Sequence, residues 1–337
     1  MINSIQLHLT NKCNRNCNHC LFQSKNIRTE EFELYEIISI IEKISPCTKI
    51  GCSVNIFGGE PYCYYKLNEF VEYLTNSGFN VGLTTNATSS INSIRETIHF
   101  GLKRLSVDLT SISKEKHEQL KPKTFDQTIK LLNLIQSEEV SKNVNVIIHN
   151  ENYYEVCDIL YMLMEFDIEN VSLYSMTNIG NALSSSLYPV DYKTWLQLKN
   201  DVNNWVNNYS PKFSIIWENT YLSSPTLANK KICSSACSDT IDIRSDGKVY
   251  YCCLLMALDS PLTKVEGLSL GCLKSATLDD INLNRKIKTI DRNELCPAMK
   301  LASIDSRFKQ NYWCPYDWEF IHLGDNKKYG YIQVAHA

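Results

Sequence analysis

Ile5-Gln6-Leu7-His8-Leu9-Thr10-Asn11-Lys12-Cys13-Asn14-Arg15-Asn16-Cys17-Asn18-His19-Cys20 opens the chain with a strand-like run that leads directly into three cysteines. Their spacing is Cys13-x3-Cys17-x2-Cys20, and no fourth cysteine stands nearby. Three thiolates on one tight loop hold three irons of a [4Fe–4S] cube and leave the fourth iron open, whereas an electron-transfer cluster normally has four cysteines. An open iron can bind a ligand. Structural zinc is the competing reading. It usually shows paired C-x2-C knuckles with a second pair downstream, and here the first gap is three residues.

Working outward, the chain repeats a strand-then-helix rhythm. Glu31 to Ile44 carries apolar residues at helical spacing, and Ser53-Val54-Asn55-Ile56-Phe57 reads as a buried strand. The pattern continues with a helix over Leu67 to Asn76, a strand over Val81 to Thr84, a helix over Ile91 to Phe100 and a strand over Arg104 to Leu109. A helix from Phe125 to Gln136, a strand from Asn143 to Ile148, a helix near Tyr153 to Glu165 and a strand from Asn170 to Tyr174 complete six strands. Strands alternating with helices imply right-handed βαβ units and a parallel sheet. Six units are fewer than the eight that close a full barrel.

Parallel α/β folds put their active sites at the C-terminal ends of the strands, and the remaining motifs fall there. Gly58-Gly59-Glu60-Pro61 follows the second strand: two glycines permit close backbone approach to a ligand, and the acid can accept from a cationic amine. Thr84-Thr85-Asn86 follows the third strand, Ser106-Val107-Asp108 ends the fourth, and Asn150 and Asn152 follow the fifth. Asp108 equally suits a turn cap.

The cysteine triad with Gly58-Gly59-Glu60-Pro61 resembles the signature of the radical SAM superfamily. The resemblance implies that S-adenosylmethionine chelates the open iron through its amino and carboxylate groups. The cluster then passes one electron to the sulfonium, giving methionine and a 5′-deoxyadenosyl radical that removes an unreactive substrate hydrogen, with the protein supplying placement. It implies a partial (β/α)6 TIM-like barrel and an external electron donor of flavodoxin or ferredoxin type. By the same resemblance the segment Gly58, Gly59, Glu60 and Pro61 binds the cofactor, with Gly59 and Glu60 taking the methionyl ammonium. Asn86 belongs to a T-N-G-like turn in which Ala87 replaces glycine, and Ser106 and Asp108 lie near ribose or substrate. Asn150 lies near adenosine, and His19 occupies the slot where an aromatic packs on adenine.

Composition bounds the partners. The chain has 337 residues, 44% hydrophobic and 21% charged, enough for one barrel-like core plus a smaller unit. A net charge of −3 offers no global basic surface, which disfavours nucleic acid. The start lacks a basic n-region with an apolar core, and no run of about 18 apolar residues occurs, so we expect no membrane association and a cytoplasmic protein. In a reducing compartment its 14 cysteines read as ligands, reactive thiols and core residues.

Half of those cysteines, Cys233, Cys237, Cys252, Cys253, Cys272, Cys296 and Cys314, fall in the last third. We divide the chain into a barrel over 1–212 and a small α+β unit over 213–337. Alternating residues around Asp246-Gly247 read as a hairpin that brings its two ends together. Its pattern resembles the C-x9-15-G-x4-C hairpin of SPASM and Twitch domains, which carry auxiliary [4Fe–4S] clusters. The resemblance implies one auxiliary cluster on Cys237, Cys252, Cys296 and Cys314, with Cys233 an alternative first ligand and structural zinc a competing metal. Cys253 is then a spare thiol able to return a hydrogen atom to a carbon radical. A small buried hydrophobe is the other reading of that residue.

Relatives with such extensions mostly modify peptides and proteins. The expected function is therefore hydrogen abstraction from a ribosomally made precursor peptide, giving epimerisation or crosslinking. The alternatives are an activase acting on a folded partner and a non-catalytic iron–sulfur or zinc protein. With the first strand beginning near residue 2, recognition is expected at the barrel mouth, the auxiliary unit or a separate partner.

Overall fold

Side chains alternate along each barrel strand, apolar on one face and polar on the other, and that alternation dictates the layers. A computed structural model describes residues 1–22, 31–177, 179–218, 220–221, 240–259, 267–288 and 313–314. Its elements in order are β1 (Ile2–Thr10), α1 (Leu34–Ile44), β2 (Thr48–Gly58), α2 (Leu67–Asn76), β3 (Asn80–Thr85), α3 (Ile91–His99) and β4 (Arg104–Asp108). Then come α4 (Lys114–Leu120), α5 (Phe125–Leu134), β5 (Ser141–Ile148), α6 (Val156–Leu163), β6 (Asn170–Ser175), α7 (Tyr192–Tyr209) and β7 (Ser214–Glu218). The chain continues with β8 (Thr220–Tyr221), β9 (Thr240–Ile243), β10 (Lys248–Tyr250), α8 (Cys253–Leu258), β11 (Gly271–Cys272), α9 (Leu278–Lys288) and β12 (Trp313–Cys314).

One sheet runs in the order β11-β10-β9-β1-β2-β3-β4-β5-β6-β7, and β1 to β7 pair in parallel throughout. The register aligns Leu7 with Ile56, Leu83 and Leu105, and Val107 with Val144, Val171 and Ile215. These apolar rows meet the helices, whose buried residues recur at i, i+3, i+4 and i+7: Ile37, Ile40, Ile41 and Ile44 on α1, and Val156, Ile159, Leu160 and Leu163 on α6. The opposite face is polar. There Gln6 aligns with Asn55, Gly82, Arg104 and Ser141, and Asp108 with Asn145 and Ser172.

The expected strands and helices are present with small shifts. Helix α1 begins at Leu34 rather than Glu31, where Glu33 and Glu36 form a reciprocal capping box. Three elements of the barrel go beyond the sequence reading. Helix α4 is seven residues long, too short for a clear period; α7 and β7 carry the parallel sheet one strand further. The expected hairpin is β9–β10, with Gly247 at φ +87° in its turn. It joins the main sheet directly, since β9 pairs in parallel with β1. Among the described residues no helix is long and apolar enough to cross a membrane.

Candidate metal and cofactor site

The cysteine loop leaves β1 at Thr10 and is gripped by the ends of three other strands. From β2, the Gly59 N–H donates to the Thr10 carbonyl at 2.7 Å and the Glu60 N–H to the Lys12 carbonyl at 2.8 Å. A Cβ on Gly58 would lie 2.5 Å from the Thr10 oxygen, and one on Gly59 only 2.2 Å from the Lys12 oxygen. The glycine pair is thus required by its approach to the cysteine loop itself, which is a different reason from the ligand approach expected of it. From β3, Asn86 Nδ2 donates to Asn14 Oδ1 at 2.9 Å and lies 4.0 Å from Cys13 Sγ. Beyond β6, the Asn181 N–H donates to the Cys20 carbonyl at 3.0 Å and its Nδ2 to the Cys17 carbonyl at 2.9 Å. Gly180, at φ +65°, allows this contact, because a Cβ there would stand 2.2 Å from the Cys20 oxygen.

Cys13, Cys17 and Cys20 are half-buried free thiols on this loop. Burial pushes Cys13 up and Cys17 up to about 12, so without metal Cys13 and Cys17 hold their protons, and binding a metal must displace them. Among the described residues no three His, Cys, Asp or Glu side chains converge as ligands of one metal ion would. A cube makes no such demand, since its cysteines each take a different iron.

Glu60 is buried beside the loop. Thr85 Oγ1 donates to its Oε1 at 2.8 Å, the Tyr62 N–H reaches the same oxygen at 3.3 Å, and the Asn86 N–H donates to Oε2 at 2.7 Å. Burial raises this carboxyl above its usual range against the pull of those donors. A carboxylate offers about four acceptor positions, so three donors leave room for one more. Pro61 is buried and starts a single 3-10 turn whose N-cap is Glu60.

Asp108 does not stand alone in the barrel. It forms an ion pair with Lys121, itself buried, and its Oδ1 accepts from Asn145 Nδ2 at 2.9 Å. Burial pushes the Asp108 carboxyl up, but Lys121 and Asn145 outweigh it and hold it below the ordinary value. Lys121 is held above its ordinary value, Asp108 and Cys17 outweighing the effect of burial. His19 faces the same pair. Burial, then Lys121, lowers it to about 4, and its shielded Nδ1 has no hydrogen-bond partner among the described residues. Ser106 is buried one pleat below Asp108. Asn150 Oδ1 accepts from the Tyr188 N–H at 2.8 Å, which ties β5 to the segment before α7. Among the described residues the Asn152 side chain bonds backbone: it accepts from the His149 N–H and donates to the Thr110 and Ile147 carbonyls.

In the C-terminal part, Cys252 is buried at the N-cap of α8 and Cys253, half-buried, is its first residue. Cys314 lies in β12, paired with β8. Cys233, Cys237 and Cys296 lie outside the described residues. The hairpin turn docks on the cysteine loop, with Asn11 Nδ2 donating to Ser245 Oγ at 3.1 Å.

Residues 7–163 match the model of the Radical SAM superfamily. They are a radical SAM domain. The AdoMet-dependent heme synthase of Methanosarcina barkeri is 26% identical over 195 residues, 56% of this chain and 55% of that protein. The antilisterial bacteriocin subtilosin biosynthesis protein AlbA of Bacillus subtilis is 21% identical over 176 residues, 51% of this chain and 39% of that protein. The chain thus spans about half the length or less of these relatives. Among solved structures, Streptococcus suis SuiB bound to S-adenosylmethionine superposes with a TM-score of 0.70 at 15% identity, covering 86% of this chain and 68% of SuiB. SuiB bound to its precursor peptide SuiA gives 0.69 at 14% identity, covering 86% and 67%. Identities this low establish the fold.

The family implies a [4Fe–4S] cluster and S-adenosylmethionine, and the donors present fit them. Three thiols share a clamped loop, an anchored carboxylate stands beside them, and the His19 Nδ1 lacks a partner among the described residues. Sequence reasoning missed Lys121, Gly180 and Asn181, and it quoted Thr85 within its turn motif without giving it a role. Gly180-Asn181 was findable, because it follows the sixth strand at the end where the other motifs gather. Lys121 was not, since only the folded chain brings it to Asp108.

Proposed function

We propose that this chain is a radical SAM enzyme that abstracts hydrogen from a ribosomally made peptide, with epimerisation or crosslinking of a residue as the outcome. The observation that carries the reading is the cysteine loop held from three strand ends beside the anchored Glu60 carboxylate. When bound, the cluster and S-adenosylmethionine supply one-electron reductive cleavage and a hydrogen-abstracting radical. Cys13, Cys17 and Cys20 hold three irons. Glu60, with one acceptor position left, takes the methionyl ammonium, and the buried Lys121 supplies the neighbouring positive charge. His19 offers its free nitrogen to the adenine end, with Asn86 and Ser106 on adjacent strand ends.

The peptide class rests on SuiB, whose structure holds its precursor peptide, and on the biosynthetic role in the name of AlbA. Residues 213–337 are the auxiliary unit, with Cys237, Cys252, Cys296 and Cys314 as ligands of a second cluster. Cys253, next to Cys252, is the thiol that returns hydrogen to the peptide radical. An external flavodoxin- or ferredoxin-type protein delivers the electron.

The test is anaerobic reconstitution, dithionite reduction and incubation with S-adenosylmethionine and the precursor peptide in deuterated water. The reading predicts 5′-deoxyadenosine together with either deuterium at an inverted α-carbon or a loss of hydrogens from the peptide mass. Iron-replete protein that forms no 5′-deoxyadenosine would overturn it. A Cys253→Ala variant should still cleave S-adenosylmethionine while failing to release the inverted product. Unchanged product would remove Cys253 from the mechanism.

A further inference from the structure

At the opposite end of the barrel from the cysteines, a cavity of about 490 Å³ opens among the N-terminal ends of β2 to β6. Lys49, Lys103 and Arg104 line it, with the amides Asn3, Asn80 and Asn170, and no carboxylate is among its lining residues. Its size falls in the range of small-molecule sites. The acids next to Asn170 in sequence are already engaged: Asp167 accepts from Lys142 Nζ at 3.2 Å, and Glu169 accepts from the Lys142 backbone N–H.

Arg104 is the informative residue. It is half-buried, its guanidinium lies across β3 to donate to Asn55 Oδ1, and it has no ion-pair partner among the described residues. The strand beneath it is built for that pose, because a Cβ on Gly82 would meet Arg104 Nη2 at 3.1 Å and Asn55 Oδ1 at 2.9 Å. Shielded cations are normally paired, since a cation withdrawn from water without a counter-charge is costly. On the same rim, Asn3 Oδ1 is buried and has no hydrogen-bond donor among the described residues. The cavity therefore combines the half-buried Arg104 and two exposed lysines, none of them in an ion pair among the described residues, with an acceptor that lacks a donor there.

We infer that this cavity is a binding site for a small multivalent oxyanion, and that a phosphate group is the best match. Phosphate at neutral pH carries oxygens for the Arg104 fork and for both lysines, together with a P–OH that can donate to Asn3. The site is independent of the cysteine loop, so its failure would leave the proposed chemistry untouched.

Isothermal titration of the full chain with inorganic phosphate tests the site. Saturable binding is expected, weakened about tenfold or more by Arg104→Gln. Lys103→Gln changes an exposed side chain, so it should fold normally and also weaken binding, while Lys130→Gln on the remote α5 should not. Displacement of phosphate by malonate would show that the site also accepts carboxylates, and inert malonate would narrow it to phosphate. Absence of saturable binding by the folded chain, or binding that both cavity variants leave intact, would overturn the assignment.

Discussion

Glu60 shows how a single residue serves two tasks. Its backbone N–H pins the turn to Lys12, while its carboxylate collects three donors from β3 and the following turn. Glu60→Gln keeps the shape and puts an amide nitrogen where one of those donors already points. We expect the affinity of the reconstituted protein for S-adenosylmethionine to fall by roughly tenfold or more, as loss of a hydrogen bond to a charged group predicts. Equilibrium binding measures it, and unchanged affinity would remove Glu60 from the cofactor site. The buried histidines give a second residue-scale prediction. His8 and His117 are held near 3 and His149 near 4, chiefly by burial, and Arg244 adds to the effect on His8. Hydrogen bonds agree with neutral rings: His117 Nδ1 accepts from the Thr110 N–H and His149 Nδ1 from the Glu151 N–H. The unfolded chain binds these protons as pH falls below about 6.5 and the folded chain does not, so stability drops with acidity across that window. Each ring should cost about 1 kcal/mol by pH 5.5 relative to neutral pH. Thermal melts of the metal-free chain should show the decline, and a flat melting temperature between pH 7.5 and 5.5 would contradict it.

Among the elements, the segment after β6 deserves the same standing as the turn after β2, since both clamp the cysteine loop. Gly180→Ala would drive a methyl against the Cys20 carbonyl at an initial 2.2 Å. We expect less iron per chain after reconstitution, with the fold retained by circular dichroism; wild-type iron content would show that the clamp is dispensable. Helix α7 ends on Ser210 in the left-handed region at φ +45°, exposed, where an L-residue is strained and glycine is not. Ser210→Gly should raise stability by about 0.5 to 1 kcal/mol in denaturant titration. Much at this scale was legible in the sequence. The helices α1, α2 and α6 carry strong apolar periods, and the strands are marked by β-branched runs. Helix α4 was not legible, because Lys114 to Leu120 holds too few apolar residues to define a face. The glycine pair was legible as a motif, yet its physical cause was not, since Thr10 and Lys12 come near it only once β1 and β2 are paired.

Across the whole molecule, one ten-stranded sheet carries the cysteine loop and the strand ends that clamp it, while β8 and β12 pair apart from it. Its apolar face packs the helices, its polar face lines the barrel, and its C-terminal rim gathers Cys13, Cys17, Cys20, Glu60, Asn86 and Asp108, residues spread over about a hundred positions of sequence. The sequence placed those motifs on the right rim because parallel connections fix which end each strand presents. It did not reveal the ion pair of Lys121 with Asp108, or that the β9–β10 hairpin docks beside β1 and reaches the cysteine loop through Ser245 and Asn11. The central claim is that the Cys13-Cys17-Cys20 loop holds a cube whose fourth iron takes S-adenosylmethionine. Electron paramagnetic resonance of the dithionite-reduced, reconstituted protein tests it most directly. The account predicts a cluster signal that shifts when S-adenosylmethionine is added and that is lost when Cys13, Cys17 and Cys20 are together replaced by alanine. A signal indifferent to S-adenosylmethionine, or one that survives the triple replacement unchanged, would contradict it.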